Sequence, residues 1–163
     1  MHRQSSPEKR IRDESYDDSV QLLFAKDNAE WTLEYLLLGD LADLLSEGYD
    51  EENRKWILVV LEGLLDAIPA EKRLERFRKL RETYPDSAGI QHSLRQLEFE
   101  HDGMILQLKR LRDRVAWRLS LLDVVATEVV QDLKRWLVTF QKFCQREHRL
   151  EFFAEERAGH GQK

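Results

Sequence analysis

The stretch Leu94-Arg-Gln-Leu-Glu-Phe-Glu-His-Asp-Gly-Met-Ile-Leu-Gln-Leu-Lys-Arg-Leu-Arg-Asp-Arg-Val115 decides the fold. Its apolar residues recur as Leu94, Leu97, Met104, Leu108, Leu111 and Val115, and His101 fills the one missing step. The steps alternate between three and four residues, the spacing of a helix that buries one stripe against another helix. Glu98 lies one turn before His101 on the same face. The seam predicts a helical bundle, with an imidazole inside it.

Composition agrees with that reading. The chain has 163 residues, enough for one domain with a substantial core, and only 7 Gly and 3 Pro among 42% apolar and 35% charged residues. Leu, Glu and Arg are the commonest residues, all good helix formers. One cysteine, Cys144, excludes an internal disulfide and a cysteine-based zinc cluster. The first ten residues hold no apolar segment, and the longest oily run, Trp56 to Leu61, is too short to span a bilayer. A cytoplasmic protein without membrane contact is expected.

Outward from the seam, punctuation sets the other elements. Residues 1–18 are polar and charged and are read as a disordered tail, with a short helical lead-in over Val20 to Phe24. Asp27 and Glu30 have capping-box spacing for a helix over Trp31 to Leu45, closed by Gly48. Asp50 caps a second helix from Glu51 to Ile68, oily enough to be nearly surrounded by others. Pro69 kinks it, and residues 70–83 continue as a polar helix with Leu74, Phe77, Leu80 and Tyr84 inward. Tyr84-Pro85-Asp86-Ser87 ends that segment and caps the seam helix, residues 88–118.

A last helix runs from about Val124 to Arg157, with Val129, Leu133, Leu137, Phe140 and Cys144 in step and His148 next. A reversal near Asp123 is expected, because one continuous helix would leave the first half without a partner. The predicted fold is all-α, an antiparallel four-helix bundle over residues 19–158, with one helix kinked at a proline and residues 159–163 a frayed end.

Charge is segregated along the chain. Residues 1–12 carry four basic groups and one acid, residues 13–53 thirteen acids and one lysine, and residues 54–163 twenty-one basic groups and seventeen acids. The basic clusters at 70–83 and 109–118 are interleaved with acids, which predicts a solvated face or a dock for the acidic first helix rather than nucleic acid. No phosphate-cradling glycine loop and no Gly-x-Ser-x-Gly elbow occurs. Cys144 and His148 are four apart, but the thiol falls on the apolar stripe and is expected to be buried and inert.

A reversal near Asp123 would bring His101 and His148, equidistant from positions 124 and 125, to nearly one level. Glu98 precedes His101 by three residues and Glu151 follows His148 by three, so each helix offers one imidazole and one carboxylate. Facing bundle helices hold metals with such pairs, and this donor set suits iron, manganese or zinc.

The segment Glu98-Phe-Glu-His-Asp-Gly-Met-Ile-Leu-Gln-Leu-Lys-Arg-Leu-Arg-Asp113 resembles the Glu-His opening of a helix in hemerythrin-like domains. Leu133 to Phe153 is similar to their later helix, where a histidine is followed by acids. The likeness covers about a third of the chain and implies a four-helix bundle. It places His101 and His148 at ligand positions of a di-iron site built from five histidines and two carboxylates. This chain departs from that pattern: residues 19–91 contain no histidine, and Phe152 stands where a carboxylate would follow His148. The expected function is therefore a non-enzymatic interaction or scaffold module, self-associating as a homodimer or binding another protein, with a degenerate hemerythrin-like core and no cofactor. The alternative is a bundle holding non-haem iron, manganese or zinc through Glu98, His101, His148 and Glu151.

Overall fold

Local signals act where the sequence sets them. Among the described residues Gly48 alone takes a positive φ, 115°, and it closes the first helix, as a residue without Cβ does most easily. Asp50 accepts a hydrogen bond from the Asn53 amide at 2.8 Å and opens the second helix. Ser87 does the same for Ile90 at 3.4 Å at the start of the seam helix. The Gln91 side chain donates to the Arg81 and Tyr84 carbonyls at 3.1 and 2.8 Å, satisfying the end of the helix before it.

The elements are α1 (Ala29–Glu47), α2 (Glu51–Ala67), α3 (Glu71–Thr83), α4 (Ala88–Ala116), a 3-10 turn (Arg118–Leu121) and α5 (Asp123–His160). They come from a computed structural model that describes residues 29–69 and 71–160. No strand occurs among the described residues. The expected tail at 1–18, the lead-in at 20–24, the Asp27 cap and residues 161–163 lie outside them. Gly159 and His160 continue α5 rather than forming a frayed end.

The protein is an all-α four-helix bundle in which the second helix is broken at Pro69 into α2 and α3. α1 packs on α2, α2 on α4, α4 on α5 and α5 on α1, while α3 lies against α4. The whole predicted seam of α4 is buried, His101 included. It meets Ile57, Leu61 and Leu64 of α2 and Leu133, Trp136 and Phe140 of α5 in one core.

The chain reverses between α4 and α5. Arg114 pairs with Asp132 at 2.7 Å, Arg146 with Glu100 at 2.8 Å, and the Trp136 indole donates to the Met104 carbonyl at 3.0 Å. These contacts run antiparallel and centre the reversal between residues 120 and 123. The turn is clamped to the first hairpin. Tyr49 bonds Ser120 at 2.8 Å, and Arg54, held by Glu51, donates to the Val115 carbonyl at 3.0 Å and so caps α4 from a distant helix.

Two expectations need correction. α2 is not surrounded: Trp56 and Val59 are 56% and 57% exposed, because no described element covers its outer side. On α3 the buried side is turned by about one residue, so Arg73 is buried and Leu74 is exposed. Phe77 fixes that rotation by entering the core, and the charged neighbour at 73 finds partners that Leu74 does not need.

Candidate functional site

The four sequence candidates do not converge. Glu98 is engaged by Arg81 of α3, in an ion pair across the α3–α4 contact. His101 is 2% exposed, and neither ring nitrogen has a hydrogen-bond partner. Its nearest carboxylate is Asp102 at 3.6 Å, and its ring lies against Phe143 with centroids 6.1 Å apart. Phe143 thus takes the level expected for His148, which sits about one and a half helical turns farther along α5. The displacement follows from a reversal centred a little earlier than Asp123. His148 lies 4.0 Å from Glu151, and Glu151 is 3.0 Å from Arg76. Among the described residues, no three His, Cys, Asp or Glu side chains form a group able to hold a metal ion.

What the bundle does concentrate is charge. Arg73 crosses from α3 over the seam between α1 and α5, donating to Glu34 at 3.1 Å and to Glu147 at 2.8 Å. Arg76 adds a second bond to Glu147 at 2.8 Å. Beneath the Arg73 guanidinium lie the Phe140 and Phe143 rings, 5.6 and 5.4 Å away. The α5 stripe explains why. After Phe140 the buried face runs to Phe143 and Glu147 rather than to Cys144 and His148. Residue spacing did not single out Glu147, because a carboxylate on an amphipathic helix is usually solvated. The signal that could have found it is the match of Arg73 and Arg76, one turn apart, to a single acid.

Burial raises the Glu34 carboxyl above its ordinary range, with Arg73 opposing. Burial alone would depress Arg73, but Glu147 and Glu34 outweigh it, and the guanidinium stays charged. Glu151 is pushed up to about 7 by burial, with Glu147 adding and Arg76 opposing. Burial lowers His148. Cys144 lies 3.9 Å from Arg73, and burial drives its thiol far up, so no thiolate is poised for attack at neutral pH. No family model matches the chain, and no curated protein or solved structure is significantly similar to it. The reading rests on the arrangement alone, and chemically the cluster is a clasp: each acid at its centre faces an arginine.

The surface is more suggestive than the interior. Trp117, Leu119, Leu122 and Val124 are exposed around the α4–α5 turn. Leu33, Leu36, Trp56 and Val59 are exposed along α1 and α2. An open groove of about 910 Å³ lies between the α3–α4 turn and α5, lined by Tyr84, Ser87, Ile90, Phe153 and Arg157 among others. Arg157 is already held there, by Ser87 at 3.1 Å and by the Phe153 ring at 5.7 Å. No helix among the described residues is long and apolar enough to cross a membrane.

Proposed function

We propose that the chain is a non-enzymatic interaction module that self-associates as a homodimer through the tip at the α4–α5 turn. The observation that carries this reading is the exposure of Trp117, Leu119, Leu122 and Val124 within eight residues of one reversal. Helix-connecting turns ordinarily carry polar residues, and a clustered apolar surface is a contact surface. Local charge favours a second copy. Arg112 is held by Asp113 at 3.0 Å and Arg114 by Asp132 at 2.7 Å, and the exposed Arg118 is offset by Asp123 and Glu128, so the tip carries little net charge. A twofold contact sets each patch against itself, which such a surface tolerates. On this reading the core is a degenerate hemerythrin-like bundle in a reducing, cytoplasmic compartment. Sedimentation equilibrium of the full chain tests it. A concentration-dependent dimer is expected, and Trp117→Ser with Leu122→Ser should yield monomer with an unchanged helical spectrum. A monomer at every concentration, or a dimer indifferent to both substitutions, overturns it.

A second reading is favoured by His101, whose buried nitrogens lack partners. It is a metal-binding bundle holding iron, manganese or zinc through Glu98, His101, His148 and Glu151, which would require α5 to shift until His148 replaces Phe143 at the level of His101. Elemental analysis of untagged protein separates the two.

A further inference from the structure

The seam between α1 and α2 is a second exposed surface, and its charge is anything but neutral. Leu33, Leu36, Trp56 and Val59 stand outward along it, and Leu37 and Leu44 fill its part-buried floor. Gly63 lets the helices approach: a Cβ there would lie 3.3 Å from Leu37. Along the same stripes, at helical spacing, α1 carries the exposed Asp40, Asp43 and Glu47, and α2 carries the exposed Glu52, Glu62 and Asp66. None of these six carboxylates is engaged in an ion pair with a described residue. The only basic residues of the two helices are Arg54, which is buried, and Lys55. From Leu33 to Glu47 the ribbon is roughly 21 Å long at 1.5 Å per residue, the length of about four helical turns.

We propose that this face docks a basic amphipathic helix of a partner protein. Four occupants compete for an apolar ribbon, and the acids choose among them. A second copy packed about a twofold axis would set these carboxylates against their own equivalents. An anionic bilayer surface and a nucleic-acid backbone are repelled by the same charges. A helix with apolar residues at every third or fourth position seats on Leu36, Val59 and Trp56, while its Lys and Arg meet the carboxylates interspersed with them. Its lining residues differ from those of the α4–α5 tip, and peptide binding and dimerisation are separate readouts, so the homodimer reading and this one fail independently.

The probe is a fluorescein-labelled Leu/Lys amphipathic helix of about 18 residues, with a scrambled peptide of equal composition and a Leu/Glu helix as controls. Fluorescence anisotropy with the full-length protein should show saturable binding of the Leu/Lys helix that weakens as salt rises. Trp56→Ser with Val59→Ser should weaken it by about tenfold or more. Asp40→Lys with Asp66→Lys should lose the Leu/Lys helix and gain the Leu/Glu helix, whereas Glu75→Lys with Glu82→Lys on α3 should leave binding unchanged. All four sites are exposed, so folding is retained and checked by thermal melts. Equal binding of the scrambled peptide, or indifference to the α1–α2 substitutions, overturns the proposal. So does tighter binding after Lys9, Arg10 and Arg12 are changed to Gln, which would show the chain's own basic end as the occupant.

Discussion

The Arg73 guanidinium of α3 meets the Glu147 carboxylate of α5 at 2.8 Å, where Glu147 has no exposed surface and Arg73 only 4%. This contact joins helices on either side of the Pro85 break, and it is ionic in an interior that is otherwise mostly apolar. Only Phe77 of α3 is a fully buried hydrophobe, so the helix is fastened chiefly by Arg73, Arg76 and Arg81. Buried ion pairs roughly offset their own desolvation, yet they are costly to break from one side.

Removing one partner should therefore be far worse than removing all. Arg73→Met is expected to destabilise the protein by about 3–5 kcal/mol, because Glu34 and Glu147 stay buried without their cation. The triple change Arg73→Met, Glu34→Leu and Glu147→Leu should recover most of that loss. Urea denaturation of both variants checks the difference. A single variant as stable as the wild type would mean that the charges are solvated.

Weak fastening predicts that α3 opens locally before the bundle unfolds. Cys144, beneath Arg73 at 3.9 Å and the only thiol in the chain, reports on that event. Labelling by a soluble disulfide reagent should be slow in the wild type and faster by at least about tenfold in Glu147→Gln. Labelling that tracks only global unfolding, measured in parallel by denaturant, would show that α3 and the bundle open together.

Glu151 makes stability depend on pH in a direction opposite to that of most carboxylates. Its folded carboxyl titrates at about 7, above the unfolded value near 4.3, so the folded state binds the proton more tightly. A raised acid contributes stability that is full at low pH and is lost as pH rises towards 7. Glu151→Gln removes that dependence. Relative to the wild type, the variant should gain on the order of 3 kcal/mol as pH rises from 4 to 8, and the gain should level off near pH 8. Melting curves at several pH values measure it. A difference that stays flat across the range would place Glu151 in solvent.

Much of this was legible from residue types and spacing. The α4 seam from Leu94 to Val115, the Asp50 and Ser87 caps and the Gly48 stop are local signals, and local chemistry sets them, while the reversal near Asp123 followed from the need of the first half for a partner. The buried clasp was not legible, because helical spacing fits both Cys144 and Phe143 after Phe140. The choice between them depends on the rotation of α5 against α3, a tertiary matter. The exposed faces of Trp56 and Val59 were hidden by their own oiliness: periodicity reveals which residues could be buried, not how many neighbours exist to bury them.

His101 offers the most economical test of the core. Its ring is buried with both nitrogens unpartnered, which costs about 1–3 kcal/mol for a polar group in an apolar site. Leu97 and Met104 flank it on the seam, and leucine has a similar volume. Glu98 is already engaged by Arg81, and Asp102 is 84% exposed, so removal of the imidazole leaves no carboxylate buried and alone. His101→Leu is therefore expected to raise the melting temperature or leave it unchanged, and a chelator should not shift the melting of the wild type. If His101 holds a metal, the substitution and the chelator will each lower the melting temperature, by similar amounts, and the bundle reading without metal falls.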